Sequence, residues 1–293
     1  MEKIIGFFRL TRPANIVTAV SDILAGIAIS GFFLHSHDSY SSVAWLILST
    51  IGLYGGGVVM NDVFDAELDA IERPERPIPS GLISRTEATV LGTMLLVGGV
   101  LLAFLVSLQS GVLALLIALA ALVYDKWAKH HSLLGPLNMG ICRGLNLLLG
   151  LSIVSSQVGA LWYLGIVPVI YIAAITMISQ GEVHGGKKTT LYIAAVLYGV
   201  AMASILYISA TREQAIATLF FITLWAFMVF FPLRNAIKNP QGRMIGRAVK
   251  AGVLALILMN AAWASAFGAS LLALIIILLL PLSIAVAKVF AVT

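Results

Sequence analysis

The stretch 61-NDVFDAELDAIERPERPIPSG-81 follows without a break on 42-SVAWLILSTIGLYGGGVVM-60, a run apolar enough to lie in hydrocarbon. Carboxylates carried out of such a run, followed by arginines set between prolines, need a physical reason. Offsets of three and four place Asp62, Asp65 and Asp69 on one helix face, with Asn61 a turn before Asp65. Such a face is a cluster of oxygens. Carboxylates repel one another and are expensive to desolvate, so a cluster at a membrane boundary calls for a cation. Carboxylate and amide oxygens without His or Cys suit a hard ion, and Mg²⁺ commonly shares its coordination with substrate phosphates. Asp62, Asp65, Asp69 and Asn61 are therefore the candidate metal ligands and catalytic residues. Glu67 and Glu72 read as a solvated helix end. Downstream, Pro74, Pro77 and Pro79 end the helix and stiffen the loop, while Gly81 permits a turn. Arg73 and Arg76 are thereby held in place, and a fixed guanidinium pairs bidentately with phosphate oxygens.

Working outward, the whole chain has the character of its second apolar run. Of 293 residues 60% are hydrophobic and 11% charged, too much apolar surface for a soluble domain of this size. A membrane span needs about 20 apolar residues. Candidates lie near 14–34, 42–61, 86–108, 110–125, 133–156, 160–180, 189–210, 213–233, 245–267 and 269–291, giving a bundle of nine to ten transmembrane helices. Lys and Arg accumulate in short cytoplasmic loops. With the N-terminus taken as inside, sixteen of the eighteen basic residues fall on one face; Arg212 lies opposite and Arg143 within a span. The net charge of +5 thus reflects orientation in a membrane and is no nucleic-acid signal. The first apolar stretch is longer than a signal-peptide core and lacks a small-residue cleavage site, so it reads as a retained helix. Cys142, the single cysteine, excludes a disulfide framework or a thiolate metal cluster and reads as a packing residue.

The polar stretches 62–85, 126–132, 181–188 and 234–244 are short and lie on the inferred cytoplasmic side, so one membrane domain spans 1–293 and chemistry belongs at its cytoplasmic mouth. A span running into an acidic segment and then a basic loop occurs at 61–81 and again at 180–190, a pattern compatible with internal duplication. In 135-GPLNMGICRGLNLLLG-150 a guanidinium stands halfway along a span, which costs about 3 kcal/mol or more and marks a bundle interior or wet cavity. Arg143 is read as facing the central cavity and binding diphosphate or a polar acceptor, with Asn138 on the same helix; the competing reading is a structural pair with a buried partner. The glycines 55-GGG-57 allow close helix approach or make room for substrate.

The string Asn61-Asp62-x-x-Asp65-x-x-x-Asp69, followed by Arg73-Pro74-x-Arg76-Pro77-x-Pro79-Ser80-Gly81, resembles the first signature of the UbiA superfamily of intramembrane prenyltransferases. Arg12-Pro13 with Asn15 is similar to that family's opening helix, and Tyr124 with Lys129 follows the fourth span as the family has it. The resemblance implies an all-helical bundle, a Mg²⁺-dependent diphosphate site at the cytoplasmic mouth and a lateral opening for an isoprenoid tail. It also implies a prenyl diphosphate donor and a small acceptor, aromatic or polar and sugar- or cyclitol-like, with Arg12 and Lys129 joining Arg73 and Arg76 on the substrate. The chain departs from the pattern at 179-SQGEVHGGKKTT-190, where the superfamily carries a second aspartate-rich motif and only Glu182 is acidic. Glu182 is the candidate ligand there. His184 is a poor Mg²⁺ donor, and Lys187 and Lys188 contact phosphate or enforce topology. In this respect the chain resembles the EboC-like branch, and a bacterial inner membrane is the expected location. Against prenyl transfer stand two other classes: a transporter, whose acids ordinarily sit near the membrane midplane, and a non-catalytic isoprenoid-lipid-binding relative.

Overall fold

The computed structural model describes residues 2–34, 40–182 and 185–290, and His184 lies outside them. Among the described residues the chain is all-helical, and nine helices are long and apolar enough to cross a membrane. The protein is an integral membrane protein. A short helix α1 (Glu2–Thr11) precedes α2 (Pro13–Ser30) and α3 (Ser41–Phe64), and a one-residue junction at Asp65 leads into α4 (Ala66–Glu72). The chain continues with α5 (Arg85–Phe104), α6 (Leu108–Lys126), α7 (Leu134–Leu151), the short α8 (Ser155–Leu161), α9 (Ile166–Ser179), α10 (Lys188–Thr211), α11 (Ala215–Lys238), α12 (Gly242–Ala266) and α13 (Ser270–Val289). Most of these bounds follow the apolar runs closely, because a lipid-facing helix must be apolar over its whole crossing; the expected spans 133–156 and 160–180 instead meet at α8, with α7 ending at Leu151 and α9 starting at Ile166.

The fifth predicted span is the one that fails the simple hydropathy test. Helix α7 carries Arg143, two asparagines and several glycines, and it packs between α2, α6 and α9. Its neighbours, not lipid, set its composition. Two large apolar clusters fill the bundle, one over α9 to α13 and one over α3, α5 and α6, with α2 and α7 contributing to both, and a small third joins α1, α3 and α5. These two helices form the seam of the molecule. They meet in backbone contact: a Cβ on Gly26 would collide with the Leu147 carbonyl oxygen, so only glycine fits there. The close crossing brings the polar side chains of α2 within reach of α7.

At one end of the bundle, α1 lies against α3 with Leu10 buried. The proline-rich loop closes over it, and the Ser84 hydroxyl and Glu87 carboxylate form a capping box that opens α5. The 55-GGG-57 question resolves by position: a Cβ on Gly56 would collide with Leu96 of α5 at 2.8 Å, whereas Gly57 borders a cavity.

Candidate active site

Helix α3 delivers Asn61 and Asp62 at its last turn, Asp65 sits at the junction with φ −87° and ψ 1°, and α4 delivers Asp69. Pro74 keeps the chain from continuing the helix, and Arg76 turns back over it. Asp62 is 6% and Asp69 5% exposed, although both lie beside the loop. Burial of this depth requires partners. Arg76 Nη1 donates to Asp69 Oδ2 at 2.6 Å and to Asp62 Oδ1 at 3.4 Å, and Arg12 Nη2 donates to Asp62 Oδ1 at 2.7 Å. Asp65 instead meets Lys129 Nζ, beyond the end of α6.

This corrects the expectation of one uniform acidic face. Asp62 and Asp69 converge on one guanidinium nitrogen, and Asp65, at the break between the helices, turns to Lys129. Among the described residues no group of three or more His, Cys, Asp or Glu is gathered as a metal cage, because each of these carboxylates has a basic partner. The Asn61 amide donates to Asp125 Oδ1 at 2.9 Å.

Three hollows lie by this cluster: one of about 420 Å³ is lined by Asp65, Asp125, Lys126, Lys129 and His130, and the other two, a basin and an inner cavity, share Arg12. A basin of about 540 Å³ is lined by Arg12, Arg73, Arg76 and Lys250, with Glu182 across from them and an apolar wall from Val253, Leu254 and Phe290. Glu182 has an exposed side chain on the rim. Its carboxyl is nevertheless held above the ordinary carboxylate pKa by burial, a rise opposed by Arg73. The inner cavity, of about 220 Å³, lies between α3, α6 and α7 and is bordered by Arg12, Asn61, Tyr124, Asp125, Arg143 and Asn146 among others. Arg12 belongs to both. Its backbone is left-handed at φ 48° immediately before Pro13, a costly conformation for a residue with a Cβ, and one that sets its side chain between the two hollows.

Arg143 borders the inner cavity as expected and also has the buried partner of the competing reading. Nη1 pairs with Asp22 Oδ2 and Nη2 donates to Thr18 Oγ1, while the guanidinium lies 5.2 Å from the Tyr54 ring centre. Asp22, 1% exposed, also accepts from Asn146 at 2.9 Å and from Asn260 at 2.7 Å, and Thr50 donates to Asn146 Oδ1. The charge Arg143 brings to the cavity is thus compensated before any substrate arrives. Asn138 borders neither the basin nor the inner cavity, and its amide oxygen faces the Cys142 thiol at 3.8 Å. Lys187 and Lys188 are exposed at the start of α10 and likewise border neither. Sequence reasoning passed over Asp22 and Asp125. A lone mid-span arginine demands an acidic partner in another span, which was the available signal for Asp22; Asp125 was hidden beside the basic run 126-KWAK-129.

The chain is thus a polytopic helical membrane protein with buried carboxylates, a cationic basin and an apolar wall at one end. Residues 23–244 match the model of the UbiA prenyltransferase family, and the chain belongs to that family. It is a prenyltransferase by class. It is 30% identical to the digeranylgeranylglyceryl phosphate synthase of Methanothermobacter thermautotrophicus over 78% of each chain. To the synthase of the same name from Methanothrix thermoacetophila it is 36% identical, over 48% of this chain and about half (52%) of that protein's length. Among solved structures, a digeranylgeranylglyceryl phosphate synthase in membranes superposes with a TM-score of 0.68 at 22% identity, covering 92% of this chain and 100% of that one. A UbiA homolog from Archaeoglobus fulgidus bound to GPP and Mg²⁺ superposes with a TM-score of 0.66 at 15% identity, covering 86% and 99%. These likenesses establish the fold.

Proposed function

We propose that this chain transfers a prenyl group from a prenyl diphosphate to a small acceptor inside the membrane, in a Mg²⁺-dependent reaction. The observation that carries this reading is the basin of Arg12, Arg73, Arg76 and Lys250 with its apolar wall on α12 and α13, set against Asp62 and Asp69. An anionic head and a hydrocarbon tail are both matched there. The two carboxylates already converge on one cationic nitrogen and offer only oxygen, the donor set of a hard ion. Asp62 and Asp69, with Asp65 at the junction, are the residues that would hold Mg²⁺, and the ion would supply charge neutralisation of the departing diphosphate. Glu182, across the basin, is the candidate from the second half of the chain.

As the allylic C–O bond breaks, the electron pair leaves with the diphosphate, whose new charge faces the fixed guanidinium groups of Arg12, Arg73 and Arg76. Cations already in position stabilise that charge more in the transition state than before it. The acceptor then closes the new bond to the allylic carbon and releases a proton. Walls of apolar side chains keep water from competing for the cation. The name of the similar synthases speaks of a glyceryl phosphate product, which favours a polar acceptor over an aromatic one. The basic loops and the mouth are read as cytoplasmic. The EboC-like likeness rests on 179–190 alone.

The test is incubation of purified protein in liposomes with Mg²⁺ and labelled prenyl diphosphates of graded length, followed by mass analysis of extracted products. Prenylated product with released diphosphate is expected. Binding of prenyl diphosphate without any release would favour the non-catalytic lipid-binding reading, and saturable uptake across the liposome without release would favour a transporter.

A further inference from the structure

The mouth end of the bundle is electrically divided. Residues 1–182 carry nine bases and twelve acids, whereas residues 183–293 carry nine bases and one acid, Glu213. Arg212 and Glu213 follow α10 at the far end, so the other eight bases of the C-terminal stretch stand at the mouth, about the starts of α10 and α12 and the ends of α11 and α13. All eight are exposed, and none makes an ion pair among the described residues. In the N-terminal part Lys3, Arg12, Arg76, Arg85 and Lys129 each hold a carboxylate. Orientation in a membrane explains the bases but not the missing acids, because Asp and Glu weigh little in that bias. A surface of one sign concentrates ions of the other.

Helix α12 gives this surface a direction. Arg243, Arg247 and Lys250 are spaced by four and three, so they follow one side of the helix over about 10 Å of its axis. Lys250 borders the basin, together with Gly246, Val249 and Val253 of the same helix. Arg243 and Arg247 border neither the basin nor the inner cavity, and Arg247 Nη1 faces the Met244 thioether, a weak acceptor, at 4.0 Å. The two arginines therefore stand on the approach to the basin, between Lys250 and the open start of α12. Along the axis the whole ladder is about one screening length at 0.1 M salt.

We propose that the cationic side of α12 is a capture surface for the substrate, on which Arg243 and Arg247 draw the anionic head of a prenyl diphosphate to Lys250 and the basin. They raise the rate of capture and leave the chemical step untouched. This rests on the prenyl-transfer reading above and adds two residues that act before the substrate is bound. The occupant is a prenyl diphosphate because the basin at the inner end of the ladder has four cations, one carboxylate and an apolar wall, which match a polyanionic head on a hydrocarbon tail.

The experiment follows capture of a fluorescently labelled prenyl diphosphate by stopped flow, and its turnover with Mg²⁺, in zwitterionic liposomes. Salt is set at about 0.01 M and about 1 M, where screening lengths are about 30 Å and about 3 Å. At low salt Arg243→Gln with Arg247→Gln is expected to lower the association rate, and with it kcat/KM, about tenfold, while the dissociation rate and kcat stay within about twofold of wild type. At high salt the two proteins converge. Arg243→Lys with Arg247→Lys is expected to match wild type, because attraction at a distance needs the charge and not the planar fork. A Gln pair that captures as fast as wild type at low salt overturns the proposal. So does a gap that survives high salt, or a fall in kcat, either of which would make the arginines contacts of the bound substrate. A gap seen only when anionic lipid is added to the liposomes also overturns it and gives the surface to lipid headgroups. Should the Gln pair not fold, wild type decides: a capture rate indifferent to salt overturns the proposal, and a steep fall with salt upholds it. Salt-steered capture without any release of diphosphate would uphold the surface and strike the prenyl-transfer reading alone.

Discussion

Two Asp–Arg assemblies built from the same chemistry have opposite designs. At the mid-membrane seam, Asp22 holds Arg143, Asn146 and Asn260, and its partners are held in turn by Thr18, Thr50 and Ser21. At the mouth, Asp62 and Asp69 share Arg76, Asp65 holds Lys129, and Arg12 Nε and Asp125 Oδ2 remain unsatisfied nearby. One network centres on Asp22, joins α2, α7 and α12 and leaves Asn260 Oδ1 buried without a partner among the described residues; the other borders a basin and a cavity. A network whose charges are all paired in the interior specifies structure. One whose arginines line a hollow stands where a ligand can reach it.

The contrast breaks most severely at Asp22. Asp22→Ala leaves Arg143 as an unpaired buried charge and is expected to destabilise the bundle by about 3–5 kcal/mol, seen as a collapse of folded yield and melting temperature in detergent. Adding Arg143→Met to it should recover much of that loss, since removing both charges together is far milder than removing one. If the single variant melts like wild type, the seam is not held by this pair.

At the mouth the order of effects inverts. Asp62→Asn keeps size and a hydrogen-bonding oxygen but removes charge from the Arg12 and Arg76 pairings; diphosphate release is expected to fall about 100-fold or more, with the melting temperature within a few degrees of wild type. Arg76→Lys replaces a planar fork with a point charge, so a rise in the KM for prenyl diphosphate of about tenfold is expected, one lost charge-assisted hydrogen bond's worth. Smallest of all, Lys187→Ala with Lys188→Ala should leave turnover within about twofold, because both side chains are exposed and line neither the basin nor the inner cavity. A large loss in that double variant would bring α10 into the substrate site.

How much of this was legible in the sequence follows from which forces are local. Helix bounds were, since a crossing segment is apolar along its own length and α2, α3, α5 and α6 announce themselves. The carboxylates at 62, 65 and 69 were, because their spacing and the prolines after them are contiguous. The division of Asp65 from its neighbours was not: it depends on a backbone break at Asp65, between α3 and α4. Asp22 was recoverable in part, by pairing the single mid-span arginine with a mid-span acid. Its place opposite α7 depends on Gly26, where two backbones touch, and contact between remote helices is a property of tertiary packing. Asp125 was masked by the basic residues after it, and only the fold shows it bordering the inner cavity.

The most direct measurement is Mg²⁺-dependent release of diphosphate from a labelled prenyl diphosphate by wild-type and Asp62→Asn proteins in the same liposomes, with thermal unfolding followed in parallel. Release by wild type that chelation abolishes, and a near-complete loss in a variant that melts normally, are expected of a mouth that holds the metal and the diphosphate. Undiminished release by a correctly folded Asp62→Asn protein would contradict it.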